Sequence, residues 1–351
     1  MKNIFAFMLA GIIIITVLSG CKSSAESEES YKNPNDMTWT VDTLQYEDYI
    51  QTNMANILAF STQDIFIYGH SHPYGQVYHF DGTSWSVFNI AQYINGASIK
   101  KMIAFSRSSF YGAAENSEYK SQVFTGDGSS WALISPFQSK GGMLTVTGSS
   151  KRNIYTAGRN GDVLYFNGSD WSYNNIKIVP ETGGEYLINA SAIYNDTVHF
   201  LGTMSGLTKN VYYHIKGKYN NWQIVDSMTL INSSTELKWG NNDLYVSSAN
   251  KLYSCGYHGV WEYTGSGWKN IFECTYSING MFVLNENYII ACGELGRLYF
   301  YDGSEWITLT NFQIGYEDIL YQVAWGDGKE LFVIGYTYAD WPMRTIVFHG
   351  K

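Results

Sequence analysis

The stretch Leu298–Leu309, "LYFYDGSEWITL", runs through alternating residues to an Asp-Gly pair and then starts a second run at Trp306. Two short runs joined by such a turn signal read as a β-hairpin. The chain writes it again and again: "VYHFDGTSWSVF" (77–88), "VFTGDGSSWALI" (123–134), "VLYFNGSDWSYN" (163–174) and "VWEYTGSGWKNI" (260–271) keep the same order. A lone sheet of this kind leaves both faces wet, so the repetition itself must supply the core.

Aligned on the Trp after the turn, the copies place Trp85, Trp131, Trp171, Trp222, Trp268 and Trp306 at spacings of 46, 40, 51, 46 and 38 residues. Two further apolar runs precede each hairpin, the second ending in Gly, as in "DIFIYG" (64–69), "NIYTAG" (153–158) and "YIIACG" (288–293). Four strands repeated about every 45 residues predict the blades of a β-propeller. The C-terminal run Tyr321–Gly350 supplies three strands and stops where the next Trp strand is due. "NDMTWTVDTL", Asn35–Leu44, supplies that strand without its first three, with Trp39 46 residues before Trp85. The expected fold is therefore all-β: a seven-bladed propeller of four-stranded antiparallel blades, closed by an N-terminal strand in the last blade.

Local chemistry agrees with this period. Gly82, Gly128, Gly168, Gly265 and Gly303 stand three residues before a Trp, where a tight turn needs positive φ, and Asp81, Asp127, Asn167 or Asp302 precedes four of them. "IKGKYNNW" (215–222) departs from the pattern and predicts a longer turn. The Trp is expected to pack between neighbouring blades.

A strand ending in Gly, a Gly-turned hairpin and then Trp is similar to the repeats of kelch and galactose-oxidase-type propellers. The kelch double Gly is absent: His70, Ala113, Arg159, Thr203, Tyr257, Glu294 and Tyr336 follow the Gly. The turn also resembles the sialidase Asp-box, although Asp and Gly are adjacent here.

The chain has 351 residues, 45% apolar and 17% aromatic with only five Pro, which favours strands and a large core. Its formal charge of −9 opposes simple attraction to phosphate, so nucleic acid is not an expected partner. Lys2 and the apolar run that follows read as a signal peptide, residues 1–20. Leu18, Ser19, Gly20 and Cys21 resemble the bacterial lipoprotein signal, which implies lipidation at Cys21 and a membrane anchor. Residues 21–35 read as a flexible acidic tether and 36–351 as the propeller domain, expected as a monomer. Lys22 is not the acidic residue that favours inner-membrane retention in such lipoproteins, which implies the outer membrane. Glu26, Glu28 and Glu29 resemble a surface-export signal or form a solvated spacer. Cys255, Cys274 and Cys292 are odd in number, so at most one disulfide forms among them.

Candidate ligand-binding residues come from the loops between second and third strands, the face on which propellers bind. They are His70, His72, Tyr74, Arg159, His258, Glu294, Arg297, Tyr336, Tyr338, Trp341 and Arg344. His70 and His72 form an H-x-H pair with no third ligand fixed by spacing, so no metal is assigned. Arg159, Arg297 and Arg344 are three of only five Arg residues and suit an anion. The rings suit a sugar or a protein anchor. Ring closure makes the first and last blades neighbours, which concentrates the expectation on His70, His72 and Tyr74 with Tyr336, Tyr338, Trp341 and Arg344. No G-x-S-x-G, H-E-x-x-H or phosphate-binding loop occurs, no catalytic residue is assigned and no cofactor is called for. The expected function is binding of an envelope protein or glycan; a glycan-acting enzyme and a scaffold of an envelope assembly complex are the alternatives.

Overall fold

The computed structural model describes residues 31–45, 51–72, 76–90, 92–94, 98–116, 118–134, 141–178, 184–206, 209–230, 237–310, 319–339 and 341–351. Cys21 and Tyr74 lie outside these residues, and of His72 only the backbone is described. The strands form seven four-stranded antiparallel sheets arranged as a ring, a β-propeller. From the axis outward, blade 1 comprises Gln51–Ser61, Asp64–His72, Gln76–Phe80 and Trp85–Asn89, and blade 2 Ser98–Ser106, Ser109–Glu115, Ser121–Gly126 and Trp131–Ile134. Blade 3 comprises Met143–Ser150, Asn153–Gly158, Asp162–Phe166 and Trp171–Asn175, and blade 4 Glu185–Tyr194, Thr197–Ser205, Asn210–Lys218 and Asn221–Leu230. Blade 5 comprises Asp243–Val246, Leu252–Gly256, Gly259–Tyr263 and Trp268–Glu273, and blade 6 Ile278–Asn285, Tyr288–Gly293, Leu298–Tyr301 and Trp306–Thr308.

Blade 7 is built from both ends of the chain. Ile319–Gly326, Leu331–Thr337 and Thr345–Gly350 are completed on the outside by Trp39–Leu44, paired from Trp39↔Gly350 to Leu44↔Thr345. The closure predicted from the spacing of Trp39 is thus present. Thr38 and Lys351 exchange backbone hydrogen bonds of 2.9 and 3.0 Å beyond the last pair. The chain is already docked at Lys32, whose N–H donates to Gly328 O at 2.7 Å, and Tyr31 packs edge-on against Tyr288.

Seven apolar clusters fill the seven gaps between blades, and Trp39, Trp85, Trp131, Trp171, Trp222, Trp268 and Trp306 each fall in a different one. Each Trp packs against the blade before its own. Burial of one such ring contributes about 2–3 kcal/mol, so the Trp strand acts as the adhesive of each interface. Three indoles add lateral hydrogen bonds: Trp85 Nε1 to Asp42 Oδ2 at 3.1 Å, Trp306 Nε1 to Ile271 O at 3.1 Å and Trp268 Nε1 to His214 Nδ1 at 3.2 Å.

The turns before the Trp residues satisfy themselves. Gly82, Gly128, Gly168, Gly265 and Gly303 have φ between 85° and 99°. Oδ1 of Asp81, Asp127, Asn167 and Asp302 accepts from the N–H groups two and three residues on, at 2.7 to 2.9 Å. Blade 4 corrects the expectation of a longer turn: Lys218 pairs with Asn221, so only Tyr219 and Asn220 connect the strands. Without an Asx residue to cap the turn, the ladder continues by one more pair, and Tyr219 takes φ 57°. These turns define one end of the propeller, the turn face. The loops between second and third strands, with the connections between blades, define the other, the loop face.

Candidate binding face

Several loops on the loop face make backbone hydrogen bonds within themselves, such as Tyr119 N to Asn116 O at 3.0 Å and Arg297 N to Glu294 O at 3.1 Å, and add others to the next blade. Asn160 N donates to Tyr186 O at 2.7 Å, Gly296 N to Ile319 O at 3.0 Å, and Thr52 N to Met343 O at 2.9 Å. Each bond fixes a loop tip over the start of a neighbouring inner strand. At three loop tips a large side chain sits in the left-handed region: Tyr119 at φ 60°, His258 at 62° and Leu295 at 53°. Such a conformation is costly for a bulky residue and persists only where its surroundings enforce it. Instead of turning inward, Tyr119 is 60% exposed, Leu295 47% and, in blade 7, Trp341 63%.

The residues singled out from sequence are placed as follows. His70 lies in the second strand of blade 1, which extends to His72 instead of ending at Gly69, and its Nδ1 is 3.3 Å from Ser98 Oγ of blade 2. The loop carrying Trp341 and Arg344 docks on the inner strand of blade 1 through Met343, which pairs with Gln51. Tyr336 is half-buried, and burial raises its phenol pKa. Tyr338 and His258 are exposed, while Glu294 is half-buried with its N–H on Ser277 O at 3.1 Å. Arg297 lies over the Tyr276 ring at 5.3 Å. The Nε of Arg297 and that of Arg344 are buried, with no hydrogen-bond partner among the described residues. Buried donors of this kind are uncommon.

Arg159 is different. Its guanidinium bonds Glu115 of blade 2 and Glu185 of blade 4, with Lys100 3.6 Å from Glu115, and it covers the Tyr119 ring at 4.5 Å. The bonds to Glu115 first, and then to Glu185, raise the guanidinium's pKa against the effect of burial. Two carboxylates already claim this Arg, so it ties three blades together and leaves the anion role to the other two. Nothing in the spacing of Glu115, Arg159 and Glu185 signals the network. Leu295 was likewise missed, although its place between Glu294 and Gly296 in a short loop marks a tip.

Two further features lie away from the loops. Lys101 of blade 2 reaches Asp243 of blade 5 at 2.9 Å, an ion pair that spans the axis. Burial opposes the Lys101 charge, but Asp243 and Tyr68 together raise its pKa. Beside it lies a cavity of about 410 Å³ lined by residues from the inner strands of all seven blades. Near the turn face, His199 Nδ1 and His214 Nε2 of blade 4 are 2.8 Å apart in a buried, stacked pair. Burial lowers the two pKa values to about 4 and about 3. Cys255, Cys274 and Cys292 are all free thiols, with their pKa values raised by burial. Among the described residues no three His, Cys, Asp or Glu side chains converge as a metal site.

No family model matches the chain, and neither does any curated protein sequence. Solved structures do resemble it. A structure of YCF48 bound to a D1 peptide superposes with a TM-score of 0.57 at 11% identity, covering 91% of this chain and 95% of that one. YCF48 from Cyanidioschyzon merolae gives 0.53 at 11%, covering 88% and 98%. The WD40 β-propeller domain of Doa1 gives 0.57 at 10%, covering 90% and 97%. At such identities the likeness establishes the propeller fold and nothing finer.

Proposed function

We propose that this chain is a binding protein whose loop face receives a segment of a protein partner at the cell envelope. The observation that carries the reading is the set of bulky, exposed side chains held in the left-handed region at the loop tips, Tyr119, His258 and Leu295, with Trp341 beside them. Rings and aliphatic groups presented at a conformational cost are suited to anchoring a partner. Arg297 and Arg344, both partly exposed, add guanidinium charge that matches acidic side chains of an extended segment. The peptide bound by the similarly folded YCF48 supports a protein partner over a glycan.

Lipidation at Cys21 belongs to the same proposal and rests on the Leu18–Cys21 signal. Outer-membrane placement follows from Lys22 after the modified Cys, as proposed from sequence.

Cross-linking and capture from the parent envelope test the partner. Trp341→Ala should weaken the captured partner's binding by about 1–3 kcal/mol while leaving the melting temperature unchanged. Unaltered binding in Trp341→Ala and Tyr119→Ala, with loss on altering the turn face, would refute the choice of face. Binding on a glycan array with no protein captured would replace the protein partner by a sugar. Recovery of Cys21→Ser in the membrane with its acyl label intact would remove the anchor.

A further inference from the structure

A second cavity, of about 390 Å³, opens on the turn face between blade 4 and the hairpin turn of blade 5. Register explains its lining. His199, Lys216 and Gln223 face one another across the second, third and outer strands of blade 4, and Thr197, Lys218 and Asn221 form the next row toward the turn. Tyr194 and Tyr263 wall the sides. Lys218 is neutralised by Asp196 at 2.7 Å, whereas Lys216 has no carboxylate partner among the described residues. One unopposed ammonium therefore lines a cavity in a chain of net charge −9.

The buried imidazoles decide what else the cavity offers. The Trp268 indole can only donate, so His214 Nδ1, which receives it, carries no proton. Neutral His214 is then protonated at Nε2 and donates to His199 Nδ1. His199 in turn must hold its proton on Nε2. No acceptor for that N–H occurs among the described residues, and His199 lines the cavity with its Nδ1 edge turned inward to His214. A chain of three rings thus fixes one tautomer and presents a directed N–H beside Lys216.

We propose that this cavity binds a carboxylate-bearing ligand, with one oxygen on His199 Nε2–H and the other on the Lys216 ammonium. A single unopposed cation and a neutral N–H match the one negative charge and two oxygens of a carboxylate better than the two charges of a phosphate. The amides of Asn221 and Gln223, which both donate and accept, and the Tyr rings suit hydroxyl-bearing groups attached to it, as in an acidic sugar. The cavity lies at the opposite end of the propeller from the loop face, so the site is independent of the partner proposed there.

Titration calorimetry of the whole protein at pH 7 with sodium glucuronate, acetate, inorganic phosphate and glucose tests it. Glucuronate and acetate should bind, glucuronate more tightly if the amides and rings contribute, and glucose should not. His199→Phe keeps a ring, as Phe66 and Phe332 do three residues before the matching Gly, and Lys216→Gln keeps the chain length; each should weaken glucuronate at least tenfold. Nitrogen NMR should find the protons of both His199 and His214 on Nε2. No binding of either carboxylate, tighter binding of phosphate, equal binding of glucose, or full affinity in both variants would overturn the proposal. A proton on Nδ1 of His199 would do so as well.

Discussion

The loop face and the turn face are opposite ends of the same strands, and they are held in different ways. On the turn face the four Asx-Gly turns that precede a Trp cap their own N–H groups within three residues, so each hairpin is complete without its neighbours. On the loop face, bonds within the loops are joined by backbone hydrogen bonds and an Arg159 network that run from blade to blade. A self-capped turn can be copied from blade to blade, because its energetics do not depend on what lies beside it. A loop tip pinned by the next blade can carry a residue that its own segment would disfavour, such as Leu295 at positive φ beside Gly296, whose N–H donates to Ile319 O. Uniform sequence and foreign support are two sides of one division of labour.

The comparison breaks most readily at Arg159. Arg159→Met leaves the Glu115 side chain, 5% exposed, with only Lys100 for charge and should cost about 3 kcal/mol. Thermal unfolding measures it, and an unchanged midpoint would mean that the blades are not coupled through this network.

Next comes the buried His pair. Burial lowers both folded pKa values below the ordinary 6.5, to about 4 and about 3, with Lys216 lowering both further and Asp226 partly offsetting this at His214. The unfolded chain then binds more protons than the folded one between those limits. Stability should be full above about pH 6.5 and fall as pH drops toward 4 and then 3, by an amount on the order of a few kcal/mol. Denaturant midpoints across this range should show the decline. The double substitution His199→Phe with His214→Gln, which keeps an acceptor for Trp268, should flatten it.

Smallest is the effect at a single turn. Asp302→Asn should be nearly silent, because Asn167 already performs the same capping in blade 3, whereas Asp302→Ala should lower the melting temperature slightly. The lowered pKa of Asp302, caused by the backbone N–H of Glu305, then the Ser304 hydroxyl and the backbone N–H of Ser304, disappears with the Ala variant. A loss as large as that of Arg159→Met would abolish the distinction between self-capped and supported ends.

The fold was legible because each of its devices is local or periodic. Gly before Trp, four runs per unit and the stranded Trp39 are all spacings, and spacings survive in one dimension. The site was less so. Glu115, Arg159 and Glu185 meet because blades stack laterally in one particular offset, and Lys101 meets Asp243 across the axis, 142 positions along the chain. Only side-chain placement shows such pairs. The turn of blade 4 is shorter than its missing Asp-Gly suggests, because the ladder zips further to Lys218 and Asn221. One signal for the His pair was present: His199 stands three residues before Gly202, where Phe66, Tyr155, Tyr253 and Phe332 occupy the corresponding places.

Trp39–Leu44 pairs with a strand about three hundred positions later, as the Thr40 hydroxyl bonded to His349 O across 309 residues shows. The seal on the circle is therefore the most non-local step in the fold and the one with the largest loop-closure entropy, which places it late in folding. During synthesis from the N-terminus, the early strand must wait while six blades assemble, and the partly made arc carries an unprotected edge until the final residues emerge. Once sealed, the circle has no inherent starting blade. A permuted chain with residues 351 and 36 joined by a short linker, and new ends cut at Asn195 and Asp196, should refold to the same ring.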